Sequence, residues 1–449
     1  MSAQPSLFEA AHEGRSRLLR AALFGMLVLA CAYRVWMIFR YPPTDSLWSD
    51  PARHWFSGTH PLDTAPMSAI DPIFYQIYLG VLAKLTSSQP LLVAYWTALL
   101  SLTAPWLWYR FLRELLPDRD WALAGWVLLA ALPSWSAIYT YFMQETLMLP
   151  LLGLALWATW RCRRKQDVGS FVGAVAIWLL AGLTRGICLP MGALAMCWLW
   201  CVQGGKLQRA AGSLALVVAI MAPLAGRSWY LLRLLSPYGN GQLVMLYQRS
   251  GAQRIEIEFS RRGGREYWAY EFISPAAHER PLEPFSDWQS SRVGTARFSV
   301  DLDAGARDWD AAFKSLPPWD ASRAAWLTGD NLVRLFFGGS WPDSNFERPA
   351  ERINYAARWL WAPLSAACLV LTLTAWRTQR ERMLVSLMLT WFVVQGLVPL
   401  VPNEGRYRKP YEGLLISQCL LLASTFARRR SVPPGGAAAA PPIAANAMR

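Results

Sequence analysis

Long apolar runs recur along the chain and are separated by shorter polar segments. The first run extends from about residue 18 to 39, close to the ~20 residues that an α-helix needs to cross a bilayer. Nine further runs predict nine further membrane-spanning helices. They occupy about residues 90–109, 121–135, 138–160, 171–184, 187–202, 210–230, 356–376, 383–401 and 410–427. The pattern predicts a mainly α polytopic membrane protein with about ten transmembrane helices, although the region from 121 to 160 can be divided differently.

The segments between the runs contain further predicted elements. The first loop, residues 40–89, contains two amphipathic stretches at 49–57 and 71–85. The second is aromatic and apolar with little charge, which is typical of a helix that lies in the membrane interface. In residues 231–355, "RIEIEFS" and "REYWAYEF" alternate apolar and polar residues around Gly-Gly, which predicts a β-hairpin. "ARFSVDLD" predicts a third strand, and residues 319–337 have helical spacing. This segment therefore predicts a small external α+β lobe that packs against the membrane part.

These elements divide the chain into five parts. They are a cytoplasmic N-terminus (1–17), a transmembrane core with the first external loop (18–230), the external lobe (231–355), C-terminal transmembrane helices (356–427) and a cytoplasmic tail (428–449). The tail is rich in Pro, Ala and Gly and has little to bury, so it is predicted to be disordered.

Composition and charge agree with this division and orient it. The chain is 54% apolar and 16% charged, which is typical of spans joined by hydrophilic loops rather than of a soluble domain. Basic residues cluster at alternate boundaries of the runs, so the positive-inside rule places those boundaries and both termini in the cytoplasm. They include Arg15, Arg17, Arg20, Arg110, Arg113, Arg119, Arg161, Arg163, Arg164, Lys165, Lys206, Arg209, Arg377, Arg380, Arg382, Arg428, Arg429 and Arg430.

The remaining composition excludes several classes of site. The net charge of +14 mostly reflects the cytoplasmic anchors, and no aromatic-basic surface accompanies it, so no nucleic-acid partner is expected. No cysteine falls in a predicted external loop, and no zinc-ligand spacing occurs, so neither a disulfide framework nor a zinc site is implied.

Charged residues on the opposite, external side need a different explanation. Charges at membrane depth cost about 2.5–3.5 kcal/mol each, yet several separate segments bring one to this face. They are Asp50, Arg53, His54, Asp71, Glu145, Arg185, Arg227, Arg233, Glu404, Arg406, Arg408 and Lys409. Such a convergence predicts an external active site rimmed with carboxylates and cations.

Structural roles compete with chemistry at these positions. Asp50 and Asp71 each precede a proline, which is typical of a helix start. For Asp71 we favour a role as helix cap, whereas for Asp50 a role as cap and a role in catalysis are favoured equally. Arg53 can pair with Asp50 at i+3, and His54 is favoured as a wet interfacial side chain. Asp50 and His54 are spaced i,i+4, so a divalent ion that binds both remains an open alternative. For Glu145 a functional role is favoured over an exposed interfacial carboxylate.

The chain resembles the GT-C class of integral-membrane glycosyltransferases, in the branch that includes protein O-mannosyltransferases and the lipid A aminoarabinose transferase. The resemblance covers about residues 18–427, without most of 240–350. "SDPARHWFSG" followed by "DPIFYQIYLGVLAKL" is similar to the family's first external loop, and Asp50 stands where the family has its catalytic aspartate. Many relatives have a second acidic residue next to it, where this chain has Pro51.

Four later segments extend the resemblance. They are "QETLMLPLLGLALWATWR", "LLAGLTRGICLPMGALAMCWLW", "APLAGRSWYLLRLLSPYGNG" and "EGRYRKPYEGLLI". In the third of these, the arginine is followed by Ser-Trp-Tyr rather than by the family's Asn-Tyr. The positions that match family motifs are Glu145, Thr184, Arg185, Arg227, Arg406, Tyr407 and Pro410.

The resemblance implies an enzyme of the bacterial inner membrane whose active site faces the periplasm. It implies transfer of a sugar, with inversion, from a polyprenyl-phosphate donor to a hydroxyl of an acceptor protein, lipid A or surface glycan. Asp50 would be the base, and membrane lipid would surround the site. Residues expected to bind substrate are Arg53, Glu145, Arg185, Arg227, Glu404, Arg406, Tyr407 and Arg408. No cofactor is assigned, and a divalent ion held by Asp50 and His54 stays an open alternative.

Three other functions fit parts of the pattern. A lipid-linked-sugar transporter or flippase also needs cations for phosphate, but it should carry them along a path through the spans. An O-antigen ligase or polymerase does not need the acidic first loop. A scaffold whose lobe binds a partner leaves the carboxylates of the spans unexplained.

Overall fold

Most of the residues that the structure describes are helical, and a three-stranded sheet forms the rest of their regular structure. The computed structural model describes residues 7–60, 66–252, 254–262, 264–271, 294–318, 321–338, 342, 348–375, 378–397 and 405–431. The helices before the sheet are α1 (Leu7–Arg40), α2 (Ser49–Thr59), α3 (Ile73–Thr86), α4 (Pro90–Leu115), α5 (Arg119–Ala131), α6 (Pro133–Ala137), α7 (Glu145–Lys165), α8 (Val168–Thr184), α9 (Cys188–Val202), α10 (Leu207–Leu232) and α11 (Asn240–Ser250). The strands are β1 (Arg254–Arg261), β2 (Gly264–Glu271) and β3 (Thr295–Asp301). The later helices are α12 (Ala306–Lys314), α13 (Ala321–Phe337), α14 (Pro349–Ala375), α15 (Gln379–Phe392) and α16 (Lys409–Ser431).

Polar residues at the predicted cytoplasmic boundaries cap the helices that begin there. The Asp118 side chain accepts a hydrogen bond from the backbone N–H of Asp120 at the start of α5. The Asp167 side chain does the same for α8, and Thr378 forms a capping box with Glu381 for α15. Each cap satisfies backbone donors that a helix start leaves without partners, typically stabilising it by about 1 kcal/mol.

Three helical stretches of the described chain are long and apolar enough to cross a membrane. They are Arg17–Asp45, Pro90–Leu115 and Leu207–Leu232. A fourth is added if Arg119–Ala131 and Pro133–Thr140, which are bent by 54°, form one span. The ten spans predicted from the sequence are therefore not supported. Helices α8 and α9 have only 17 and 15 residues, and α7 carries a glutamate in its first turn and three basic residues in its last.

The main core lies where α4, α7 and α16 meet. The Trp108 ring of α4 is fully buried, and its indole N–H donates to the backbone oxygen of Leu149 in α7 at 2.9 Å. Gly153 of α7 and Gly413 of α16 leave room for this ring, since a Cβ at either position would lie 2.5–2.6 Å from it. This packing fixes the position of α7, which begins at Glu145, relative to α16, which begins directly after Arg408.

The sheet belongs to the predicted lobe and has the order β2-β1-β3. Strands β1 and β2 pair antiparallel, which confirms the predicted hairpin, and the predicted third strand pairs with β1 in parallel. Ile255, Ile257 and Phe259 alternate to the buried face of β1 and pack with Trp309 of α12. The Trp309 indole donates to the backbone oxygen of Leu232 at 2.7 Å, so the lobe rests on the end of α10.

Other predicted segments are confirmed as helices, with small shifts of their bounds. Helices α2 and α3 correspond to the stretches at 49–57 and 71–85, and α13 to that at 319–337. Helix α1 begins at Leu7, well before the predicted start of the first span. The first six residues and residues 432–449 of the tail lie outside the described residues.

A candidate active site of paired carboxylates and arginines

Asp50 is the second residue of α2, and the backbone before it is strained. Ser49 has a φ of 50°, in the left-handed region that residues with a Cβ rarely adopt. Trp48, at the N-cap, makes no side-chain capping bond, and its ring meets Tyr141 edge-on at 6.5 Å between centroids. Asp50 therefore does not cap its helix, and its carboxylate is directed at charged partners instead.

Two arginines hold the Asp50 carboxylate. Arg53, one turn later, donates from Nη2 to Oδ1 at 2.9 Å, and Arg406, from a segment 356 residues away, donates from Nη1 to Oδ2 at 3.2 Å. Burial alone would raise the pKa of Asp50, but the charges of Arg53 and Arg406 outweigh it and hold the pKa well below its usual range. The carboxylate is therefore ionised at neutral pH.

Glu145 forms a second acidic centre beside the first. It opens α7 and is fully buried, and its Oε1 lies 2.8 Å from Nη1 of Arg185, which follows α8. The Nε of Arg406 lies 4.0 Å from the same oxygen, so this arginine connects Glu145 with Asp50. The Arg185 guanidinium also stacks over the Tyr407 ring at 4.4 Å from its centroid. The predicted residues Asp50, Glu145, Arg185, Arg406 and Tyr407 thus share one site.

Asp71 joins this site, although the sequence predicted a capping role for it. That prediction is wrong, because α3 begins at Ile73 with Pro72 as its N-cap. The Asp71 carboxylate instead accepts a hydrogen bond from Nη1 of Arg53 through Oδ2, and one from Nε2 of Gln144 at 3.4 Å through Oδ1. An Asp-Pro pair indicates a helix start equally well whether or not its carboxylate caps it, so the sequence carried no signal for this contact.

His54 is buried rather than wet, which also corrects the sequence prediction. Only 3% of it is exposed, and its ring packs edge-on against Tyr75 at 5.5 Å between centroids. Burial lowers the pKa of His54 to about 4, against the opposing charge of Asp71, whose Oδ2 lies 3.7 Å from Nδ1. The imidazole is therefore neutral near pH 7.

The two predicted metal ligands, Asp50 and His54, each have other partners in the structure. Both Asp50 oxygens face arginines, whereas Nδ1 of His54 faces Asp71. Within the part of the chain that the structure describes, no three His, Cys, Asp or Glu side chains are gathered in a way that could hold a metal ion.

Two predicted arginines make contacts elsewhere in the fold. Arg227 donates from Nη2 to the backbone oxygen of Ser68 at 3.2 Å and to its hydroxyl at 2.9 Å. Arg408 is 1% exposed and donates from Nη1 to the backbone oxygens of Leu335 and Phe336 at 2.8 and 2.9 Å, at the end of α13. Both arginines thus stabilise the fold in these contacts. Glu404 lies outside the described residues.

Among the described residues of the site, three carboxylates and three guanidinium groups pair with one another. We call Asp50, Asp71, Glu145, Arg53, Arg185 and Arg406 the charge cluster. Such a cluster offers a base to a hydroxyl and cations to an anion within one small volume.

Comparison of the chain with protein-family models and with curated protein sequences finds no match.

Proposed function

We propose that the chain is a membrane glycosyltransferase of the GT-C type. It moves a sugar from a polyprenyl-phosphate donor to an acceptor hydroxyl on the periplasmic face of a bacterial inner membrane. The acceptor is a protein, lipid A or a surface glycan. In this proposal the chain crosses the membrane about ten times, including helices that are shorter or more polar than the three candidate spans, and both termini lie in the cytoplasm.

One observation carries this proposal: Arg406 is shared between Asp50 and Glu145. The three residues come from segments that separately resemble motifs of the same family, and Arg185 comes from a fourth. Charged groups that meet from four distant segments at a buried position require a common reason, since isolated buried charges are costly. Joint binding of an anion and a hydroxyl group provides that reason.

The chemistry assigns the groups of the cluster to different atoms of the reaction. The acceptor oxygen attacks the anomeric carbon of the sugar, and the bond from that carbon to the phosphate oxygen breaks with its electron pair. Asp50 takes the proton of the hydroxyl, a role worth about 10²–10⁴ in rate. Arg406 and Arg185 stabilise the negative charge that grows on the departing phosphate. Attack from the face opposite to the phosphate inverts the anomeric centre.

Donor binding also prepares the base. While both arginines hold Asp50, its low pKa makes it a weak proton acceptor. A donor phosphate competes with the carboxylates for Arg406, which loosens its pair with Asp50. The carboxylate then becomes more basic when the donor is in place.

Helix α3 gives a surface for the prenyl chain. Ile77, Val81 and Leu85 are spaced by four residues and are 45%, 51% and 63% exposed. They form an apolar stripe on one face of a helix that begins next to Asp71. A stripe of this kind fits lipid contact at the membrane surface beside the cluster.

A transfer assay with the purified, full-length protein tests the proposal. The probes are polyprenyl-phosphate sugars, and the readout is the release of polyprenyl phosphate. Asp50→Asn removes the base with little change in shape, so the rate, measured below the thermal midpoints of both proteins, should fall by about 10² or more. The thermal midpoint should fall as well, because Arg53 and Arg406 lose the charge that compensates theirs. An arm with a chelator tests the predicted divalent ion.

Asp120→Asn is the matched control for this assay. Asp120 also pairs with an arginine, Arg20, at 2.7 Å, but at the start of α5 rather than in the cluster. It should transfer sugar like the wild type. A wild-type rate for Asp50→Asn, or no transfer by the wild type with any such donor, would contradict the proposal.

A further inference from the structure

Arg53 serves two carboxylates at once. Its Nη2 donates to Oδ1 of Asp50 at 2.9 Å, and its Nη1 donates to Oδ2 of Asp71. The two nitrogens belong to one rigid, planar guanidinium, so the positions of the two carboxylates are linked. A lysine has no such fork and could not hold both in the same way.

Asp71 has a second hydrogen-bond donor besides Arg53. Only 6% of it is exposed, and Gln144, the residue before Glu145, donates to its Oδ1 at 3.4 Å. Asp71 therefore connects the start of α3 with the start of α7 and, through Arg53, with α2. A buried carboxylate with these partners resists movement, because any shift leaves a charge without compensation.

We propose that Asp71 is a positioning residue for the transfer reaction: by holding Arg53, it orients the Asp50 carboxylate toward the acceptor. This inference rests on the proposed function, in which Asp50 is the base. Asp71 acts through Arg53 and does not itself touch the substrate. Without Asp71, the Arg53 guanidinium is held only by Asp50. It can then rotate and turn the Asp50 carboxylate away from the acceptor hydroxyl. A misplacement of about 1 Å is enough to slow a reaction strongly.

A double-mutant cycle on Asp71 and Arg53 tests this path in the full-length protein, with the polyprenyl-phosphate sugar that the wild type uses. Asp71→Asn should lower kcat about tenfold and leave the KM for the donor nearly unchanged, because the phosphate ligands Arg185 and Arg406 stay in place. Arg53→Gln should have an effect of similar size. The double variant should be no slower than the slower single variant, because both changes break one path.

Two outcomes would overturn the inference. One is a wild-type kcat for Asp71→Asn, and the other is independent effects, with the double variant slower by the product of both factors. If Asp71 had a purely structural role, Asp71→Asn would have a lower thermal midpoint but would not combine a lower kcat with an unchanged KM.

Arg53→Lys covers the case in which Asp71→Asn does not fold. It keeps the charge next to Asp50 but cannot bridge to Asp71, so kcat should fall about tenfold here as well. A wild-type kcat for Arg53→Lys would also overturn the inference. Failure of the proposed function is distinguishable, because the wild type would then transfer no sugar.

Discussion

At the scale of single residues, the Asp50 carboxylate keeps its charge because two arginines reach it, and one of them, Arg406, comes from a distant segment. The sequence predicted that Asp50, Glu145, Arg185 and Arg406 lie on one face, and the resemblance added Tyr407 to the site. The structure brings the five residues together. Which carboxylate pairs with which arginine depends on tertiary packing, so the sequence could not assign it. The predictions that failed, the cap at Asp71 and the wet His54, rested on local signals that carry no information on burial.

His54 should make the stability of the protein depend on pH in a defined window. Its pKa is about 4 in the folded state and about 6.5 in the unfolded chain, so the unfolded state binds the extra proton between these values. Stability is then fully present above about pH 6.5 and falls toward pH 4. From pH 7 to 5 the loss should be on the order of 2 kcal/mol.

Thermal midpoints of His54→Gln across this range test the prediction. The variant should lose less stability between pH 7 and 5 than the wild type does. His60→Gln is the matched control, since His60 is an exposed histidine at the end of α2. An identical pH dependence in wild type and His54→Gln would contradict the assignment.

At the scale of elements, contact between α2 and α3 sets the position of the candidate base. A Cβ on Gly80 of α3 would lie 2.6 Å from the backbone oxygen of Gly58, and one on Gly58 would lie 2.5 Å from the Leu79 side chain. Only glycines allow the two backbones to approach this closely. The amphipathic pattern predicted both helices. The distance between them depends on the contact of Gly58 with Gly80, which the spacing of apolar residues in the sequence does not indicate.

Gly80→Ala should therefore displace α2 and Asp50 with it. The methyl group meets a backbone atom that cannot rotate away, so a cost of about 1–3 kcal/mol in the free energy of unfolding is expected, with a loss of transfer rate. Gly226→Ala is the control, because a Cβ at Gly226 of α10 meets nothing within 4 Å. It should be neutral or stabilising by up to ~1 kcal/mol. Similar thermal midpoints for the two variants would contradict this account.

At the scale of the whole molecule, the charges occupy opposite ends of the helices. Glu145 opens α7 in the charge cluster, whereas Arg164, near the end of the same helix, pairs with Glu114 at 2.8 Å. A helix of 21 residues is roughly 30 Å long, which is close to the thickness of a bilayer core. The two-sided arrangement was predictable from the basic residues alone, whereas the number of spans was not, because hydropathy does not distinguish short buried helices from spans.

Labelling with an impermeant thiol reagent on intact spheroplasts tests the orientation. In a background with the seven native cysteines replaced by alanine, Ser299→Cys on β3 should react, because the lobe is predicted to be outside. Lys165→Cys, at the end of α7, should react only after the membrane is opened. Labelling of Lys165→Cys but not of Ser299→Cys on closed spheroplasts would reverse the orientation.

The sharing of Arg406 between Asp50 and Glu145 has a consequence for selectivity. The cluster already contains anions of its own, so under the proposed function an incoming phosphate would have to replace them. Small inorganic anions would have no hydrocarbon tail whose binding could offset the cost of separating these pairs. The proposed donor, with its hydrocarbon tail held by membrane and by α3, would arrive at high local concentration and could displace the carboxylates. The carboxylates of the cluster would thus compete with small anions for the arginines and favour a lipid-bound ligand.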